Sequence, residues 1–116
     1  MATGILYATA IVTLNGSGAG TARVGPLSAR EIWSVANASV KTVQTTVTNE
    51  AQCNIYVGLS ATQENFRDNT QTGSTGDATG KVAGSPVKVG NYIWAVWSGG
   101  DAGVQAQLVV TGTKEI

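Results

Sequence analysis

Short runs rich in Val, Ile, Thr and Tyr, each closed off by glycine, follow one another along the chain, and no stretch of about ten residues repeats its apolar positions at the 3.6-residue spacing of a helix. Such a chain buries apolar surface by packing the apolar sides of pleated sheets against each other. The expectation is an all-β fold: a single antiparallel β-sandwich or jelly roll of about eight strands with one long loop. A length of 116 residues supports one hydrophobic core and is too short for two, so one domain is expected over 1–116.

The first strand is the longest clean alternation. Ile5, Tyr7, Thr9, Ile11 and Thr13 share one side; Leu6, Ala8, Ala10, Val12 and Leu14 share the other. Asn15-Gly16, with Gly18 and Gly20, supplies turn residues, so a first β-hairpin is predicted, with "TARVGPL" as its return strand up to Pro26, which cannot donate to a ladder. "REIWSVANAS" and "VKTVQTTVT" read as two strands joined near Asn37. "CNIYVGL" reads as a strand with Cys53, Ile55 and Val57 on one side and Asn54 and Tyr56 on the other. Residues 60–85, dense in Thr, Gly, Asn and Asp, read as the long loop, pinned by Phe66 inserting into the core. "PVKVG" and "NYIWAVWS" read as strands either side of Gly90-Asn91, and "VQAQLVVTGTK" closes the domain after "GGDAG".

One strand does not fit a simple two-layer pattern. In "YIWAVWS" one side presents Tyr92, Trp94 and Val96 and the other Ile93, Ala95 and Trp97, so both sides are apolar. Only one of them can face the core of a two-layer sandwich. The second side needs a cover, and the long loop, a neighbouring subunit and a ligand all remain open.

Several function classes are disfavoured by composition. Seven basic residues balance seven acidic ones and charged residues are 12% of the chain, which leaves no electrostatic footprint for nucleic acid or an anionic membrane. "GILYATAIVTLNG" alternates rather than running continuously apolar and has no basic residues ahead of it, so it is read as a strand and not as a membrane span or signal segment. There is no histidine, which removes the commonest general base and neutral metal ligand together. Cys53 is the only cysteine, so no internal disulfide forms within the chain; on a strand side with Ile55 and Val57 it reads as a small buried hydrophobe, and synthesis in a reducing cytosol follows. Asp68, Asp77 and Asp101 are the remaining acid–base or calcium candidates, but aspartates in glycine-rich turns more often accept backbone hydrogen bonds. No catalytic residue, no cofactor and no metal is expected.

The stretches "GPLSAREIW", "CNIYVG", "GSTGDATG" and "WAVWSGGDAGVQAQLVVTGTKE" resemble small all-β virion proteins of tailed bacteriophages, particularly phages of actinobacteria. That resemblance implies a non-enzymatic structural protein on the exterior of the virion, a capsid decoration or minor tail component present in multiple copies. Expected partners are other virion proteins, capsid or tail, and further copies of the chain as a homo-oligomer, with no nucleic acid and no membrane. Because tryptophan, tyrosine and arginine dominate protein-contact hot spots, Arg30, Trp33, Tyr56, Phe66, Trp94 and Trp97 are the partner-contact candidates. The alternative is a carbohydrate-binding or host-receptor-binding β-sandwich module that takes a cell-surface glycan on its tryptophans.

Overall fold

The computed structural model describes residues 3–43, 49, 51–69, 76–77 and 86–115. Among them are β1 (Thr3–Thr13), β2 (Gly20–Val24), β3 (Ile32–Val43), β4 (Gln52–Gly58), a 3-10 turn (Gln63–Asn65), β5 (Phe66–Asn69), β6 (Gly76–Asp77), β7 (Pro86–Val87), β8 (Tyr92–Ser98) and β9 (Gln105–Glu115). One sheet runs β1-β9-β3-β6, with β7 also paired to β3; the other runs β2-β8-β4-β5. Every ladder is antiparallel. This is the all-β sandwich that the alternating, glycine-punctuated runs predict.

The core lies between the sheets. The first contributes Leu6, Trp33, Val35, Ala38, Val40, Ala106, Leu108 and Val110; the second contributes Ala22, Val24, Cys53, Ile55, Val57, Ile93, Ala95 and Trp97. Leu6 and Leu14 of the even-numbered side of the first run are buried, while Ile5, Tyr7 and Ile11 of the odd-numbered side are exposed.

The expected first hairpin does not form. β1 pairs with β9 along its whole length and β2 pairs with β8, so residues 15–19 carry the chain from one sheet to the other. The turn itself is well made: Asn15 Oδ1 accepts the backbone N–H groups of Ser17 and Ala19. Gly18, at φ 72°, accepts the Gly100 N–H at 3.0 Å, and a Cβ there would collide with the Gly100 backbone. Alternation reports which side of a strand is apolar, but not whether the next strand lies beside it or across the core. The turn at 88–91 repeats the lesson: Asn91 N–H donates to the Lys88 carbonyl, yet β7 belongs to the first sheet and β8 to the second.

Two further expectations change. "REIWSVANASVKTV" yields one strand, β3, with a bulge between Val35 and Asn37 in place of a join; residues 44–48 lie outside the described residues. Within 60–85, Phe66–Asn69 pairs with β4 as the fourth strand of the second sheet, and Gly76–Asp77 pairs with β3. Phe66 points outward at 38% exposure and does not enter the core. Residues 70–75 and 78–85 lie outside the described residues.

Candidate functional site

The doubly apolar strand β8 sends Ile93, Ala95 and Trp97 into the core, where all three are fully buried, and leaves Tyr92, Trp94 and Val96 half-buried on the outer side of the second sheet. Register then decides their neighbours. Trp94 sits opposite Arg23 of β2 on one flank and opposite Tyr56 of β4 on the other, and Tyr56 sits opposite Phe66 of β5. Arg23, Trp94, Tyr56 and Phe66 therefore form a row straight across the sheet, one residue from each strand.

Contacts within the row are the directional ones that aromatic rings favour. Tyr56 and Phe66 meet edge to face with centroids 5.8 Å apart, and Tyr92 meets Trp94 in the same way at 5.6 Å. The Arg23 guanidinium lies 4.3 Å from the Tyr92 ring centre and 5.2 Å from that of Trp94. Cation–π contacts of this kind contribute about 0.5–1 kcal/mol each at exposed sites. Trp94 Nε1–H donates to the Gly58 carbonyl at 3.1 Å, which fixes the indole against the end of β4. A row of Thr21, Val96, Asn54 and Asn69 runs alongside, polar except at Val96. Asn54 Nδ2 donates to the Tyr56 hydroxyl at 3.3 Å, and Asn69 Nδ2 donates to Asn54 Oδ1.

At the Arg23 end the row opens into a cavity of about 540 Å³ lined by Arg23, Tyr92, Leu27, Glu31, Trp33 and Lys114, with Ala8 and Thr9 of β1 on its far wall. Its mouth is ordered by one carboxylate: Glu31 Oε1 accepts the Trp33 Nε1–H at 3.0 Å and lies 3.6 Å from Lys114 Nζ. The surface presents ring faces, a guanidinium and side-chain amides, with the Glu31–Lys114 ion pair at the cavity.

Of the six contact candidates, Tyr56, Phe66 and Trp94 are brought together in the row. Trp33, on the first sheet, is buried in the core and reaches the row's surroundings only as part of the cavity lining, with its indole nitrogen turned to Glu31. Arg30 is exposed on the turn that the Glu31 N–H closes onto the Ser28 carbonyl, away from the row. Trp97 is 0% exposed in the core and offers no surface to a partner. The physical reason is parity: Trp94 and Trp97 are three residues apart, so they fall on opposite sides of the strand. Arg23 and Tyr92 were absent from the sequence-derived set, because Arg23 reaches the rings only through the β2–β8 register.

Burial pushes the Cys53 thiol up to about 12, outweighing the backbone hydrogen bond from Val96 that acts the other way. At neutral pH it is a protonated core side chain rather than a nucleophile. Asp101 Oδ1 accepts the backbone N–H of Asn49 at 3.0 Å, and Asp68 Oδ1 accepts that of Asn69 at 2.8 Å, both as turn and strand-end acceptors. The Asp77 side chain lies outside the described residues. Among the described residues no three His, Cys, Asp or Glu side chains cluster closely enough to hold a metal, and no helix is long and apolar enough to cross a membrane. Compared with protein families, curated proteins and solved structures, the chain matches none.

Proposed function

We propose that this chain is a non-enzymatic structural protein on the exterior of a bacteriophage virion, a capsid decoration or minor tail component, and that it holds other virion proteins through the row Arg23, Trp94, Tyr56 and Phe66. That row is the observation that carries the reading. It places three large rings and a guanidinium, among them the Trp, Tyr and Arg most enriched in contact hot spots, on four hydrogen-bonded strands, so little conformational entropy is lost when a partner covers them. The assignment to a virion rests on the resemblance carried by "GPLSAREIW", "CNIYVG", "GSTGDATG" and "WAVWSGGDAGVQAQLVVTGTKE".

The test is co-sedimentation of purified protein with particles assembled without it. Tyr56→Ala combined with Phe66→Ala, folded by circular dichroism, is expected to weaken attachment at least about tenfold, since truncating a hot-spot ring costs about 2 kcal/mol or more. Unchanged attachment would remove the row from the contact.

Glycan binding is the second reading, favoured by the Asn54 and Asn69 amides beside the rings. It is the weaker one because the Arg23 guanidinium already occupies ring surface of Tyr92 and Trp94 on which a sugar would stack. A shift in tryptophan emission on adding host cell-wall glycans, lost in Trp94→Ala, would support it; silence across a broad glycan panel would count against it.

A further inference from the structure

We infer that two copies of this chain pair through β1, antiparallel about a two-fold axis, so that the first sheets of two molecules join into one. β1 hydrogen-bonds to β9 along one side, and its other edge has no strand partner among the described residues. An unpaired edge is a template for another strand, and natural proteins blunt it with charges, proline, bulges, short length or a covering segment. The other edges here carry such devices. β2 has five residues and Arg23; β5 has four, with Arg67, Asp68 and a register shift opposite β4; β3 is bulged and capped by β6 and by β7, where Pro86 lies opposite Ser34. β1 has no charge, no proline and no register shift across its eleven residues, TGILYATAIVT, and β2 of the other sheet approaches it without pairing.

Side-chain exposure points the same way. Ile5, Tyr7 and Ile11 are 85%, 69% and 62% exposed on the outward side of this one strand. On its inward side Ala8, Ala10 and Val12 are only partly buried at the rim of the core. The three outward side chains leave about 400 Å² of mostly apolar surface wet per copy, as large as the largest patch on a typical monomer. Pairing along this edge covers the two strand backbones and brings the flanks of these side chains together across the seam, while their outer faces stay on the sheet surface.

A second copy fits this edge because the strand is complementary to itself. Centred on Ala8, the antiparallel pairing sets Ile5 opposite Ile11 of the second copy and Tyr7 opposite its Thr9, aromatic and β-branched pairs that stabilise adjacent strands. No charge meets a like charge along the seam, and the chain's formal net charge is zero, so two copies do not repel at long range. The aromatic row lies on the other sheet, so this pairing does not depend on it.

Sedimentation velocity of the purified chain from about 1 to 100 µM should show a monomer–dimer equilibrium that ends at the dimer, a closed two-fold. Tyr7→Lys puts a charge on the open edge at an exposed position and should raise the dissociation constant by about 100-fold or more, with unchanged far-ultraviolet circular dichroism. Thr9→Lys, also exposed, asks the same question should Tyr7→Lys fail to fold. Hydrogen exchange supplies a readout that needs no variant: β1 amides facing the open edge should exchange more slowly as concentration rises. A monomer at every concentration, open-ended polymers, or a dimer that survives both lysine variants overturns the inference, as does a free monomer whose β1 is covered only on the assembled particle.

Discussion

Gly112 lies directly opposite Val35, where β3 bulges, and a side chain at Gly112 would run into the Ser34 carbonyl oxygen and stand 2.8 Å from the Ala36 amide nitrogen. The bulge has a purpose that burial reveals. Before it the inward residues are odd-numbered, Trp33 and Val35; after it they are even-numbered, Ala38 and Val40. Ala36 is the extra residue that shifts the alternation, and Gly112 is what lets the partner strand pass beside it.

Gly112→Ala should therefore cost about 2–3 kcal/mol, because the obstacle is backbone that cannot rotate away. Urea unfolding would show a lower midpoint at unchanged slope. Gly16→Ala, with no atom within 4 Å of its added carbon, serves as the control and should shift stability by less than about 0.5 kcal/mol.

Trp97 is fully buried, yet its Nε1–H has no hydrogen-bond partner among the described residues. Leaving a buried donor unpaired costs about 1–3 kcal/mol, which offsets part of what the ring contributes by burial. Trp97→Ala should then destabilise by about 3–5 kcal/mol, while Trp97→Phe, which removes the orphaned donor and keeps a ring, should cost under about 2 kcal/mol. Equal losses in chemical denaturation would show that the donor is not orphaned in solution.

Arg23 is exposed but stacked on Tyr92 and Trp94. Arg23→Ala should lower stability by about 0.5–1.5 kcal/mol and change the emission of Trp94, since the indole loses its cation and gains water. Arg23→Lys should recover only part of this, a compact ammonium stacking less well than a planar guanidinium. Emission identical to that of the parent protein would mean the stack does not persist in solution.

Cys53 makes a pH prediction whose sign follows from burial. Its folded pKa of about 12 lies above the ordinary 9, so between those values the unfolded chain has lost the proton that the folded chain keeps. Stability from this group is complete below pH 9 and falls as pH rises toward 12, by up to about 1.4 kcal/mol per unit. Subtracting the profile of Cys53→Ala isolates the effect, because other groups also titrate there. At pH 8 the native thiol should resist alkylation until denaturant is added; rapid labelling of folded protein would contradict the burial.

Much of this architecture could be read along the chain. The all-β class followed from period-two runs with glycine stops, and alternation sorted residues by strand side, down to Cys53 with Ile55 and Val57 and the opposite sides of Trp94 and Trp97, while which side of β1 and of β8 faces the core was left to the packing. Those are local properties: a residue's own side of its strand depends on parity alone. Even the bulge leaves a local trace, the shift of apolar positions from 33 and 35 to 38 and 40.

What only the tertiary structure decided is which strands lie beside one another. Turns at 15–19 and 88–91 look like hairpins in sequence and are crossings between sheets, because turn chemistry sets where the chain reverses and not which ladder the next strand joins. The aromatic row depends on three registers at once, β2 on β8, β8 on β4 and β4 on β5, each between residues far apart or offset by an irregularity. That β1 has no second strand partner among the described residues is likewise visible only once the described strands are placed in their sheets. Alternation is a property of one strand, while neighbours, rows and edges are properties of the assembled sheet, fixed by the apolar surface that all strands bury together.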